Sequence, residues 1–245
     1  DLWLLVKEMT SICTLLKKGP KYGTKDVNNI FRSLKKHTTK PFKFYCYTDY
    51  DTEFLDEDIN IIKLENKDKK LQWYKLDFFK KGIVKEEDII LMDIDQVIIR
   101  NCDFLFDDIE DNEFRGTHRF WWRWREDKDN KKFALSGSIY KFKNGQHQYI
   151  VDEFEKSIDF WQEYFIKNGI TSGPVNGEQH FVQSQLELHD TNVSMFPEKY
   201  IVKWHKDDYY IQTCIEHDYK KWSGNQYLLD EDWHEDVRVI HYAGN

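Results

Sequence analysis

The residues best suited to chemistry lie in Asp88-Ile-Ile-Leu-Met-Asp-Ile-Asp-Gln-Val-Ile-Ile99, where an apolar run stops at Asp93 and Asp95 and then resumes. An unbroken Ile-Ile-Leu-Met run reads as a strand buried on both faces in the middle of a parallel sheet. Open α/β sheets bind ligands beyond the carboxyl ends of such strands. Two carboxylates placed there must find a cation or give up their charge, because an unpaired buried charge is costly. A hard divalent ion answers that need. Oxygen-rich coordination suits Mg2+ or Mn2+, and a neutral imidazole as a further ligand tilts the choice toward Mn2+. His241, at the end of the apolar run that starts at Val237, is the candidate imidazole. The pairs Asp107-Asp108 and Asp207-Asp208 lack such an apolar run and read as solvated loop charges.

A divalent ion at a strand end has a definite use. A sugar nucleotide carries a diphosphate leaving group, and an ion bridging its oxygens stabilises the charge that develops as the glycosidic bond breaks. Other chemistries find less support. There is no P-loop, and the first loop lacks the Gly-x-Gly-x-x-Gly of dinucleotide binding. Ser136 and Ser138 flank Gly137, but no Gly-x-Ser-x-Gly elbow is present.

The elements that must position these groups follow from the patterning. Thr10–Leu16 reads as a first strand, and Lys17 to Gly23 as the loop leaving it. Thr24 can cap a helix whose Val27, Ile30, Phe31 and Leu34 fall at i, i+3, i+4 and i+7. Phe42–Thr48 and Asn60–Leu64 are further strands, Leu71–Phe79 has helical spacing, and the strand bearing Asp93 and Asp95 comes next. Strands separated by helices in this order predict an α/β, doubly wound, mostly parallel sheet. Its carboxyl edge would collect Thr14 to Lys17, Asp49 and the aspartate pair. Period two in Phe114–Arg125 puts Phe120, Trp122 and Trp124 on one face of a strand, which either packs or offers a sugar platform. Phe133–Phe142 is a strand, a long helix is expected from about His147 to Phe165, and Glu178–Leu186 is a helix. The chain closes on a strand ending at His241.

Composition bounds the alternatives. With 245 residues, 40% of them hydrophobic, the chain can bury one sizeable core, and a single domain over 1–245 is expected, with 1–8 reading as a tag, linker or upstream segment before Met9. A net charge of -8 argues against a nucleic-acid or anionic-membrane binder. Four scattered cysteines without Cys-x-x-Cys fit a reducing compartment. No apolar run approaches the roughly 18 residues of a membrane span, and the opening residues lack the features of a signal peptide. The expected location is therefore cytoplasmic.

Tyr74-Lys-Leu76, Ile90-Leu-Met-Asp-Ile-Asp-Gln-Val-Ile98, Ser136-Gly-Ser-Ile139, Glu178-Gln179 and His241-Tyr-Ala-Gly244 occur in the order seen in GT-A fold glycosyltransferases. The chain resembles most closely family 8, the glycogenin and bacterial galactosyltransferase group, from Thr10 to Gly244. This resemblance implies a Rossmann-like GT-A sheet and a Mn2+ ion held by Asp93, Asp95 and His241. It also implies transfer of a hexose-type sugar from a UDP-sugar to a glycan, protein or lipid-linked acceptor, with retention of configuration. Thr14, Leu15 and Tyr22 would surround the base and ribose, Lys75 would touch the donor sugar or phosphate, and Ser136 would line the sugar pocket. Glu178-Gln179 stands where family members carry an Asp-Gln pair beside the anomeric carbon, and Ser136 where Asn is common. Two other readings remain at this point: a sugar-nucleotide nucleotidyltransferase, and a non-catalytic GT-A domain that binds carbohydrate.

Overall fold

The computed structural model describes residues 9–53, 55–65, 68–119, 134–171, 177–205, 210–212 and 236–242. Strand β1 (Thr10–Leu16) is packed on both faces: Ile12 and Leu16 point to one apolar cluster, Cys13 and Leu15 to the other. Helix α1 (Thr24–His37) covers the first cluster with Val27, Ile30, Phe31 and Leu34, as their spacing predicts. Its cap is Gly23 rather than Thr24: the Gly23 N–H donates to the Asp26 carboxylate at 2.8 Å. The first-turn aspartate thus takes over the capping role expected of the threonine.

Strands β2 (Phe42–Thr48), β3 (Ile59–Lys63), β4 (Asp88–Met92), β6 (Glu113–His118), β7 (Leu135–Lys143) and β8 (Asn192–Met195) complete a seven-stranded sheet in the order β3-β2-β1-β4-β7-β6-β8. All neighbours are parallel except β7, which runs antiparallel to both β4 and β6. The expected mostly parallel α/β architecture is therefore present, with one reversed strand. No helix separates β2 from β3. Those strands are joined through 49–58 and still pair in parallel.

The link from β3 to β4 also departs from expectation. Leu71–Phe79 is a 3₁₀ segment with Trp73 to Phe79 all buried, not a helix with one apolar side. Trp73 stacks on Phe154 at 5.0 Å between ring centres, and its other neighbours include Phe165 and Phe181. Burying so many rings, each contributing roughly 1.5–3 kcal/mol, leaves no exposed stripe for an α-helix to turn outward. The long helix expected from His147 breaks at Ser157 into α2 (Gln148–Lys156) and α3 (Ile158–Lys167). Ser157 has φ -156° and ψ 62°, outside the helical region. With α4 (Glu178–Leu188), these helices cover the second face of the sheet.

A smaller sheet, β10-β9-β11-β5, carries the end of the chain. It comprises β5 (Gln96–Ile98), β9 (Ile201–His205), β10 (Tyr210–Gln212) and β11 (Val239–His241). Strand β11 lies antiparallel to β5, with His241 opposite Gln96. Cys13, Cys46 and Cys102 are buried free thiols, and Cys214 lies outside the described residues. No described helix is long and apolar enough to cross a membrane. The Trp121–Trp124 stretch lies outside the described residues, so neither its packed nor its sugar-facing reading is tested.

Candidate functional site

Strand β4 sets the first functional group by alternation. Ile89 and Leu91 face the α4 side of the sheet, Ile90 and Met92 the α1 side, so Asp93 falls on the α4 side. Its N–H donates to the Ser138 carbonyl at 2.9 Å, which extends the β4–β7 pairing by one residue. Asp95 follows immediately before β5, and its carbonyl accepts the Tyr242 N–H at 2.9 Å. That bond continues the β5–β11 ladder and brings His241 alongside. Side-chain ligand atoms of Asp93, Asp95 and His241 all lie within 4.8 Å of one another, with His241 Nε2 3.6 Å from Asp95 Oδ1. Residues 146 positions apart meet because the small sheet folds the chain's last strand back onto β5.

The aspartates are held from outside as well. The Tyr22 hydroxyl donates to Asp95 Oδ2 at 3.3 Å, and Gln96 Nε2 donates to Oδ1 at 3.2 Å. Burial raises the Tyr22 phenol well above its ordinary value, and the Asp95 carboxylate raises it further, so Tyr22 keeps its proton as a donor. The loop carrying Tyr22 is itself pinned. The Tyr50 hydroxyl lies 2.9 Å from the Gly19 carbonyl and 2.8 Å from that of Tyr22, while Asp49 pairs with Lys17 and accepts the Lys18 N–H. The expected edge of Lys17, Asp49, Asp93 and Asp95 is thus assembled.

On the inner side stands Lys75, whose ammonium lies 3.0 Å from Asp93 Oδ1, 3.2 Å from Glu178 Oε2 and 2.9 Å from the Gly137 carbonyl. Its side chain is 3% exposed and that of Glu178 4%, against 29% for Asp93. Burial opposes charge on Lys75, but the Asp93 and Glu178 carboxylates outweigh it and hold the ammonium above its ordinary range. Although part of its surface meets solvent, the Asp93 carboxyl sits deep among protein atoms. Burial pushes it up to about 7, with Lys75 pulling down and Asp95 and Glu178 pushing up. Burial likewise raises Glu178 against the pull of Lys75. The Tyr140 hydroxyl faces this carboxyl without a well-formed hydrogen bond.

The remaining expected residues are placed as follows. Gln179 is half-buried, and its Oε1 accepts the Gly137 N–H at 2.9 Å. Ser136 is buried in β7 and its hydroxyl bonds Ser138 Oγ at 3.1 Å. Leu15 packs on the α4 side, whereas Thr14 is fully buried and alternates with Ile12 and Leu16 toward α1. Its hydroxyl has no hydrogen-bond partner among the described residues.

Two participants escape sequence reasoning. Gly137 is one, although a glycine inside an otherwise packed strand signals close approach of another group: a Cβ there would stand 3.1 Å from Glu178 Oε2 and 3.2 Å from Lys75 Nζ. Arg119 is the other, a buried guanidinium 3.3 Å from His180 Nε2 on α4. It follows β6 with no motif to mark it.

Two carboxylates and an imidazole brought this close fit a divalent cation of the Mg2+ or Mn2+ class. No family model matches the chain, and no curated protein matches it in sequence. Among solved structures it is similar to the glycosyltransferase GlyE of Streptococcus pneumoniae TIGR4, with TM-score 0.53 and 12% identity over 78% of this chain. The apo form of GlyE gives TM-score 0.52 and 13% identity over 79% of this chain. The chain spans 46% of the length of either structure. The fold, a mixed α/β sheet flanked by helices, is therefore one that a glycosyltransferase also uses, and it is consistent with GT-A.

Proposed function

We propose that this chain is a metal-dependent glycosyltransferase that moves a hexose-type sugar from a nucleotide-diphosphate sugar, with UDP as the nucleotide, to a glycan, protein or lipid-linked acceptor. The observation that carries the proposal is the meeting of Asp93, Asp95 and His241 at the carboxyl edge of a sheet shared with a glycosyltransferase. Membership of family 8 and retention of configuration rest on the motif resemblance alone.

In this reading Asp93, Asp95 and His241 hold Mn2+, or Mg2+ in its place, and the bound ion supplies positive charge against the oxygens of the departing diphosphate. Tyr22 keeps Asp95 oriented through its hydroxyl and, with Leu15 and Thr14 on β1, marks the side where base and ribose lie. Ser136 belongs to the wall behind Asp93, through the β7 backbone. Of the Glu178-Gln179 pair, Gln179 keeps the greater exposure and is the member placed to meet a sugar.

The test is a thermal-shift panel of UDP and UDP-sugars with and without Mn2+. A ligand that binds only the native state at a hundred times its Kd adds about 2.7 kcal/mol of stability. UDP should raise the Tm with Mn2+ present and much less without it. The Asp95→Ala variant should fold normally and lose that shift; an unaltered shift in Asp95→Ala removes the site assignment.

A further inference from the structure

Lys75 was expected to touch the donor sugar or its phosphate, and its surroundings argue otherwise. A lysine ammonium has three protons and no other way to bond. Here three acceptors already stand at bonding distance: Asp93 Oδ1, Glu178 Oε2 and the Gly137 carbonyl. Its side chain is almost wholly enclosed, in a place that a methyl group on Gly137 would already crowd. The same short stretch of β7 is tied twice more, by the Gln179 carbonyl on the Gly137 N–H and by the Asp93 N–H on the Ser138 carbonyl.

We propose that Lys75 and Glu178 form an internal tether that fixes the orientation of Asp93, so that both are positioning residues and neither touches the donor. Resting on the metal-site reading above, the tether explains why a glutamate suits position 178. Its longer side chain reaches Lys75 beneath Gly137 and balances an ammonium that Asp93, shared with a metal, could not neutralise alone. Fixing one oxygen of Asp93 on Lys75 leaves the other to face Asp95 and His241.

The discriminating variant is the double substitution Lys75→Met/Glu178→Gln, which removes one positive and one negative charge and leaves the net charge of the recess unchanged. Mn2+ affinity is read on the ligand-free protein by electron paramagnetic resonance of free Mn2+, and UDP affinity by calorimetry at saturating Mn2+. With a tether, the Mn2+ Kd rises at least tenfold, while the UDP Kd at saturating Mn2+ stays within threefold of wild type. A Mn2+ Kd within twofold of wild type together with a tenfold weaker UDP Kd would make Lys75 a donor contact and overturn the proposal. A metal-free arm separates the two ideas. Lys75→Met alone should lower the Tm by several degrees, and adding Glu178→Gln should recover at least half of that loss. Should the wild type take up no Mn2+, the metal reading fails, and the tether stands on the recovery. Equal losses in the single and double variants overturn the tether itself.

Discussion

The closest packing constraint at the site concerns Gly137, and Gly137→Ala tests it with one methyl group. The added Cβ would sit 3.1 Å from Glu178 Oε2, 3.2 Å from Lys75 Nζ and 3.5 Å from Gln179 Cβ. The first two distances are a few tenths of an ångström too short. The atoms that must give are not flexible ends in solvent: both belong to a buried ion pair bonded at 3.2 Å. Overpacking of this kind costs about 1–3 kcal/mol. With about 2–4 °C of Tm per kcal/mol for a domain of this size, a cost near the middle of that range lowers the Tm by about 4–8 °C. The variant should also bind Mn2+ more weakly, because Lys75 cannot withdraw from Gly137 without releasing Asp93. Differential scanning calorimetry and a Mn2+ titration measure the two effects. A Gly137→Ala protein that melts within a degree of wild type and binds Mn2+ unchanged would show that this recess is loose, and the inferred geometry wrong.

Other perturbations follow from the same contacts. Tyr22→Phe removes the hydroxyl on Asp95 and should weaken Mn2+ binding by about tenfold, the low end of what outer-sphere partners contribute, with little change in Tm; titration of Mn2+ checks it. Asp77→Ala strands the Lys69 ammonium, 1% exposed and 2.5 Å from the lost carboxylate, and should cost about 3 kcal/mol in denaturant unfolding, with Glu155 at 3.3 Å softening the loss. Stability should also fall in acid. Burial opposes ionisation of Asp77, Glu86 and Asp103, yet Lys69 and Lys80, Lys43 and Ser11, and Thr38, Asn101 and Thr39 respectively outweigh it and hold each folded carboxyl below its ordinary value. A depressed folded pKa contributes stability above the unfolded values, 3.8 for aspartate and 4.5 for glutamate, that is lost as pH falls through the folded ones. The Tm should therefore drop steeply below about pH 4; a flat Tm down to pH 2.5 would contradict the network.

What the sequence made legible was the part governed by local pattern. Ile90-Leu-Met92 marks β4, and the 3.6-residue spacing of Val27, Ile30, Phe31 and Leu34 marks α1, because one face or both must be buried. The proximity of His241 to Asp95 was legible only as a consequence: two carboxylates at a strand end need a partner, and the partner implies that the last strand returns to β5. Leu71–Phe79 misled because helical spacing cannot distinguish an amphipathic helix from a segment buried all round, and Trp73 to Phe79 are all buried. Ser157 interrupts the long helix with no glycine or proline to announce it. The surroundings of Lys75 were hidden for a different reason: its three acceptors come from β4, β7 and α4, which only the tertiary structure brings together.

The most direct measurement is the anomalous difference map of crystals grown with Mn2+ and UDP, recorded at the manganese edge. A single strong peak bounded by the side chains of Asp93, Asp95 and His241, absent in Asp95→Ala, is the predicted result. No peak there, or a peak held by other residues while this cluster stays empty, would contradict the proposed metal site and with it the proposed glycosyl transfer.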